Sequence, residues 1–276
     1  MILLHRSLLP LLVALASPAD VCAQEVHLRL AVPEGTVIAL EEASDVTISL
    51  TATVGEQSLE IDEEVAVQTF GTARILETGP DGAPSRMELS IAPGSQTTVT
   101  ADGETRSAPS LLVGASLILG RDADGTFAVA PDPGFDAETR GVLADYLDLG
   151  AADLPDRAIA VGESWQAPIQ FGGAVSAAPA MGTFTLEGLR TEDGREVADV
   201  SVRGTIGGTM NGTAMDAAAQ GGGVLDVATG LWLRTGIGIE GDLSGSLMQG
   251  DTTAAITGTI DGVTRTKNVL TLPDGS

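Results

Sequence analysis

Apolar and polar residues alternate with a period of two along most of this chain, the spacing that places every second side chain on one face of a β-strand. Val26, Leu28, Leu30 and Val32 alternate with His27 and Arg29, which predicts a half-buried first strand. Val46, Ile48, Leu50, Ala52 and Val54 alternate with Asp45, Thr47, Ser49, Thr51 and Thr53, and the pattern recurs more loosely through residues 65–76 and 87–91. Turn signals separate these runs: Gly79-Pro80-Asp81-Gly82, Pro93-Gly94 and Asp102-Gly103. The continuous apolar run 111–119 predicts a strand covered on both faces, turned back by residues 121–125 into Phe127 and Val129. Alternation resumes at residues 184–189 and 197–214. In the second of these, Val200, Val202, Ile206 and Met210 lie opposite Ser201, Arg203, Thr205 and Thr209. Leu231, Leu233, Ile237, Ile239, Leu243 and Leu247 predict one long one-sided strand or a bent pair, and Ile260-Asp261-Gly262-Val263 predicts a two-residue hairpin turn.

The period changes once. Val142, Leu143, Tyr146 and Leu147 fall at helical spacing within residues 136–149, with Asp136 as N-cap and Gly150 as the stop, which predicts one amphipathic helix. The expected fold is therefore mainly β: an antiparallel curved sheet or half-barrel carrying that helix, with a β-sandwich as the alternative. Glycines at 204, 208, 212, 236, 238 and 245 strip side chains from strand positions. They predict a sharply coiled sheet or the close approach of another surface.

Residues 153–166 join the two β-rich stretches. Pro155 ends what precedes it, and Gly162-Glu163-Ser164 interrupts an extended run that carries Ile159 and Val161 and re-emerges at Trp165. Leu154-Pro155 followed by Ile159-x-Val161-Gly162-Glu163-Ser164-Trp165 resembles the LP…VGD/ESW segment of a family of secreted bacterial β-rich proteins of unknown function. Asp226-x-x-Thr229-Gly230-Leu231 and Gly125-Thr126-Phe127-Ala128-Val129 are similar to two further strand motifs of that family. The resemblance implies a β fold and export; it implies no activity.

The N-terminus supports export independently. His5 and Arg6, the apolar run 8–16 and the small residues before Ala23 form the pattern of a secretory signal, expected to be cut after residue 23. The expected layout is a signal peptide over 1–23, an N-terminal β half over 24–152 that ends in the helix, and a C-terminal β half over 153–276 sharing one core with the first. The chain's single cysteine, Cys22, would leave with the signal, so burial and not a disulfide must hold the mature protein together. The expected location is periplasmic or secreted, with no membrane span after processing: Pro18 and Asp20 break the apolar run well short of the roughly 20 residues a helix needs to cross a bilayer.

A formal net charge of −24 excludes nucleic acid as an expected partner, since phosphates would be repelled. Parts for most chemistry are missing. With His27 the only histidine after processing and no cysteine, a zinc or iron site of nitrogen and sulfur ligands cannot be built. Gly162-Glu163-Ser164 lacks the closing glycine of a nucleophile elbow, and Gly236-Ile237-Gly238-Ile239-Glu240-Gly241 matches G-x-G-x-x-G inside an alternating β run with no helix to follow. Asp122 and Asp124, before Gly125, are weak calcium candidates in what is most simply an Asp-Gly turn. No cofactor is expected.

The sequence thus predicts an exported, non-enzymatic binding module for an apolar or amphipathic small ligand held in a sheet's concavity. The alternative is a structural or protein-interaction component of the bacterial envelope, and a hydrolase is a distant third. Trp165, Phe184 and Trp232 are the candidate ligand contacts, because large aromatics gain most from apolar contact, although residues of this kind are more often core.

Overall fold

The computed structural model describes residues 25–110, 112–121, 127–129, 154–155, 157–169, 180–210, 213–249 and 252–273. The predicted helix at 136–149 and the Asp122–Asp124 turn lie outside them. The described residues are all-β. The strands are β1 (Glu25–Val26), β2 (Val37–Val54), β3 (Gln57–Thr78), β4 (Pro84–Ile91), β5 (Gln96–Ala101), β6 (Glu104–Pro109), β7 (Ser116–Arg121), β8 (Phe127–Val129), β9 (Ile159–Ala160), β10 (Ser164–Ile169), β11 (Ala180–Glu192), β12 (Arg195–Met210), β13 (Thr213–Asp226), β14 (Trp232–Gln249) and β15 (Thr252–Thr271). One antiparallel sheet of 13 strands dominates, with the order β10-β11-β12-β13-β14-β15-β2-β3-β4-β7-β8, while β5 pairs with β3 and with β6. β1 and β9 form a separate pair. The large sheet is curved and does not close into a barrel.

Several strands are unusually long. β3 has 22 residues and β15 has 20, against a usual length of about 5–6, and at about 3.3 Å per residue they run to roughly 65–75 Å. Uninterrupted period-two sequence makes this possible. The ladder between β15 and β2, from Thr271↔Val37 to Ala255↔Thr53, joins the end of the chain to its beginning and makes one sheet of the two sequence halves.

Register assigns the faces. Ile260 lies between Ile48 on β2 and Gly241 on β14, and Gly241 is opposite Ala217, which is opposite Ile206. All are on the inner face, where Ile206 and Ile260 are buried. The alternation read for this strand holds over residues 200–206: Val200, Val202 and Ile206 point in, and Arg203 and Thr205 point out. Buried residues form two clusters on this face. One runs from Trp165 and Ile169 through Phe184, Leu186, Val202, Met215 and Leu243 to Val46. The other gathers Ile38, Ala73, Ile75, Met87, Leu89, Leu117, Leu119 and Leu270. The N-terminal stretch spans both, contributing Leu28 to the first and Val32 to the second.

Four local expectations need correction. Ile260–Val263 is not a turn. Asp261 and Gly262 lie in the middle of β15, paired with Thr47 and Val46 of β2 on one side and with Glu240 and Ile239 of β14 on the other, because two long partner strands override the dipeptide's preference. The same dipeptide does turn the chain at Asp102-Gly103 (φ 53° and 76°) and at Asp193-Gly194 (φ 51° and 79°), where the positive φ pair suits a type I′ hairpin. The run 111–119 is not one strand: only Ser116–Arg121 pairs, and Gly114, at φ 80°, sits in a turn before it. Its hairpin with β8 is as expected, with Leu119 opposite Val129 and Arg121 opposite Phe127. In the first alternating run only Glu25–Val26 enters a ladder, although Leu28 and Val32 are buried and His27 and Arg29 exposed. The glycines divide: a Cβ on Gly204 would lie 2.5 Å from Ile169 Cδ1, a true close approach, whereas Gly236 has nothing within 4 Å and Gly238 nothing nearer than 3.7 Å.

Candidate ligand-binding face

The three aromatic candidates come together in part. Trp165 on β10 and Phe184 on β11 are ladder partners, with ring centroids 5.5 Å apart and planes at 22°. Trp232 lies further along the same cluster, where the register shift between Val224 and Leu225 sets it opposite Leu225 and lays its ring over Gly223, 3.0 Å from where a Cβ would be. All three are buried. Their apolar area is already taken up by protein contacts, so they are core residues and not part of the open face.

The joining segment is also structural. Gly162, at φ 90°, makes the turn between β9 and β10. The Glu163 carboxylate accepts hydrogen bonds from the Ala160 amide and from Arg157, each at 2.9 Å. The amide, and then the arginine, hold its pKa below the usual carboxylate value. The Ser164 hydroxyl shares a 2.9 Å hydrogen bond with Thr185 Oγ1 on the exposed face. Asp226-x-x-Thr229-Gly230 is a buried turn: Asp226 Oδ1 accepts from the Thr229 amide and hydroxyl at 2.8 Å, and Oδ2 accepts from Arg195 at 3.2 Å. Gly230 sits so close to the N-terminal stretch that a Cβ would collide with the Arg29 carbonyl oxygen. Residues Gly236 to Gly241 lie within β14, so no phosphate-cradling loop forms there.

Polar side chains cross the inner face between the two clusters. Thr235 and Thr266 share a hydrogen bond at 2.7 Å, and Ser44 and Thr264 another at 3.0 Å. Glu42, half-buried, stands in the same band between Thr266 and Thr69. Burial pushes its pKa up.

The open part of the face lies elsewhere, on β2, β3, β5 and β6. Register continues the core face through Ile48, Leu50 and Val65 to Ile61, Leu59 and Val54, but here the apolar side chains are exposed. Leu59 is 62% exposed, Val54 41% and Ile61 39%. Beside them a depression of about 410 Å³ is lined by Val99, Ala101, Asp102, Glu104 and Arg106. Its lining is mixed, with two apolar and three charged residues. Alternation alone identified Ile48, Leu50 and Val54; nothing in the sequence marked this end as the uncovered one. Among the described residues no group of three or more His, Cys, Asp or Glu side chains is arranged to hold a metal ion, and no helix is long and apolar enough to cross a membrane.

No family model matches the chain, and no curated protein sequence matches it. Among solved structures, the chain is similar in fold to a lipovitellin structure described for its lipid–protein interactions, with a TM-score of 0.52 and 10% sequence identity. The match covers 88% of this chain but only 26% of that one. A DUF1329 family protein from Desulfovibrio piger (9% identity, 88% of each chain) and a lipoprotein-sorting protein domain from Vibrio parahaemolyticus (11% identity, 88% of this chain and 87% of that one) align with TM-scores of 0.16 and 0.12, too low to carry an argument.

Proposed function

We propose that this protein is a non-enzymatic carrier for an apolar or amphipathic small molecule, held against the open part of the inner face. One observation carries the reading: Val54, Leu59 and Ile61 are exposed on the same sheet face that carries both buried clusters. Exposed apolar side chains continuous with a core, beside a depression that also carries the charged side chains of Asp102, Glu104 and Arg106, suit an apolar ligand with a polar end. The fold it shares with lipovitellin, a protein described for its lipid contacts, supports the same reading by analogy only. The charged and apolar pattern of residues 1–23 supports an envelope or extracellular setting.

Native mass spectrometry of the protein isolated gently from its host, followed by organic extraction of any adduct, tests this directly. A near-stoichiometric apolar adduct is the expected result. Repeated apo masses, together with no binding of a fluorescent fatty-acid probe to the purified protein, would overturn it.

A further inference from the structure

The end of the β2–β3 hairpin combines three features. First, β5 pairs with β3 only from Glu63 to Gln68, so among the described residues Gln57–Asp62 has a ladder on its β2 side and none on the other. Such an edge offers backbone N–H and C=O groups to any strand of suitable register. Second, that free edge carries Leu59 and Ile61 on one face, exposed. Third, Glu56, Glu60, Asp62 and Glu64 are exposed along the same stretch, with no lysine or arginine between Val54 and Val65.

These features select an occupant. A second copy would bring its own acidic edge against this one, and like charges facing each other disfavour the pairing. An anionic membrane surface would be repelled in the same way. A strand alternating apolar with basic side chains meets neither obstacle: its backbone completes the ladder, its apolar side chains cover Leu59 and Ile61, and its cations face Glu60 and Asp62.

We propose that the edge Gln57–Asp62 is a docking site for an extended segment of a partner protein that alternates apolar with lysine or arginine residues, added to the sheet as a further strand beside β3. The site needs no bound lipid, so it stands or falls separately from the carrier reading.

The test uses the full chain and three blocked hexapeptides: one alternating valine with lysine, one alternating valine with glutamate, and a lysine version N-methylated at alternate amides. Binding is read by fluorescence anisotropy and by amide hydrogen exchange across residues 57–62. The lysine peptide is expected to bind at least about tenfold more tightly than either other peptide and to slow exchange at this edge. The double variant Leu59→Ser with Ile61→Ser should lose that preference. A control, Met181→Ser with Val269→Ser, alters exposed apolar residues of the opposite face and should keep it. Equal binding of the lysine and glutamate peptides, undiminished binding of the N-methylated one, or loss of binding in the control alone would overturn the proposal. So would concentration-dependent dimers, or flotation with zwitterionic vesicles, that vanish in the Leu59→Ser, Ile61→Ser variant, since the occupant would then be a copy or a membrane.

Discussion

The inner face of this sheet is one surface with two fates. On β10 to β15 it is closed: Ile206, Leu186 and Leu225 are fully buried, and a stacked Trp165–Phe184 pair seals the edge. On β2, β3 and β5 the same alternation leaves Leu59 and Ile61 facing solvent. Alternation does not distinguish them, because both ends alternate apolar with polar residues. The packing at the closed end does: Gly182 and Gly204 leave room that Ile169 fills, since a Cβ at either would lie 2.5 Å from it, and Ala217 and Ala219 are buried beside the same cluster.

The largest effect should come from truncating one residue in each place. Leu186→Ala removes a fully buried side chain and should cost about 2–5 kcal/mol. Leu59→Ala should change stability by no more than about 0.5 kcal/mol, while weakening binding of an apolar probe. Urea unfolding and probe titration on both variants check this. Similar losses of stability would mean that the open end is covered, and would break the comparison.

A glycine pair sharpens it at smaller scale. At Gly204 a methyl would meet Ile169 Cδ1 at 2.5 Å and the Met181 carbonyl oxygen at 2.6 Å. Gly204→Ala should therefore destabilise by about 1–3 kcal/mol. At Gly236 nothing lies within 4 Å, so Gly236→Ala should be neutral or stabilise by up to about 1 kcal/mol. Thermal unfolding of the two variants reads the difference.

Much of the fold was legible because period-two alternation is a local signal. The inward set Val200, Val202 and Ile206, the turns at Gly79–Gly82 and Asp102-Gly103, and the break at Gly162 all follow from residues near one another in sequence. Strand partnership was not legible. Nothing around Asp261-Gly262 announces that β2, more than 200 residues earlier by their numbering, will hold it extended, and nothing around Leu59 announces that its outer edge will have no partner among the described residues. The candidate site suffered most from this. Trp165, Phe184 and Trp232 are large enough to be ligand contacts or core, and only the three-dimensional structure buries them in the core and leaves Leu59 exposed.

The subtlest contrast is between two carboxylates. Glu42 faces inward between Thr266 and Thr69, with Ser44, Thr264, Asn268, Leu40, Val67 and Gly71 as its nearest ladder neighbours on that face, none of them ionisable. Burial raises its pKa above the ordinary 4.5. The folded state then holds the proton more tightly than the unfolded state, so this residue's contribution falls as pH climbs from 4.5 through the raised value. Glu163 does the reverse. The Ala160 amide and Arg157 lower its pKa, so its contribution is complete above 4.5 and is lost as pH falls through the lowered value. Relative to the unaltered protein, Glu42→Gln should therefore gain in thermal midpoint between about pH 4.5 and 7. Glu163→Gln should lose ground as pH rises towards 4.5 and then stay level, with a small amplitude because the group is exposed and screened. Midpoints measured from about pH 3 to 8 at constant ionic strength check both signs. Parallel profiles for the two variants would mean that Glu42 is solvated in the folded protein, and that the inner face is open to water along the band between the two clusters as well as at its end.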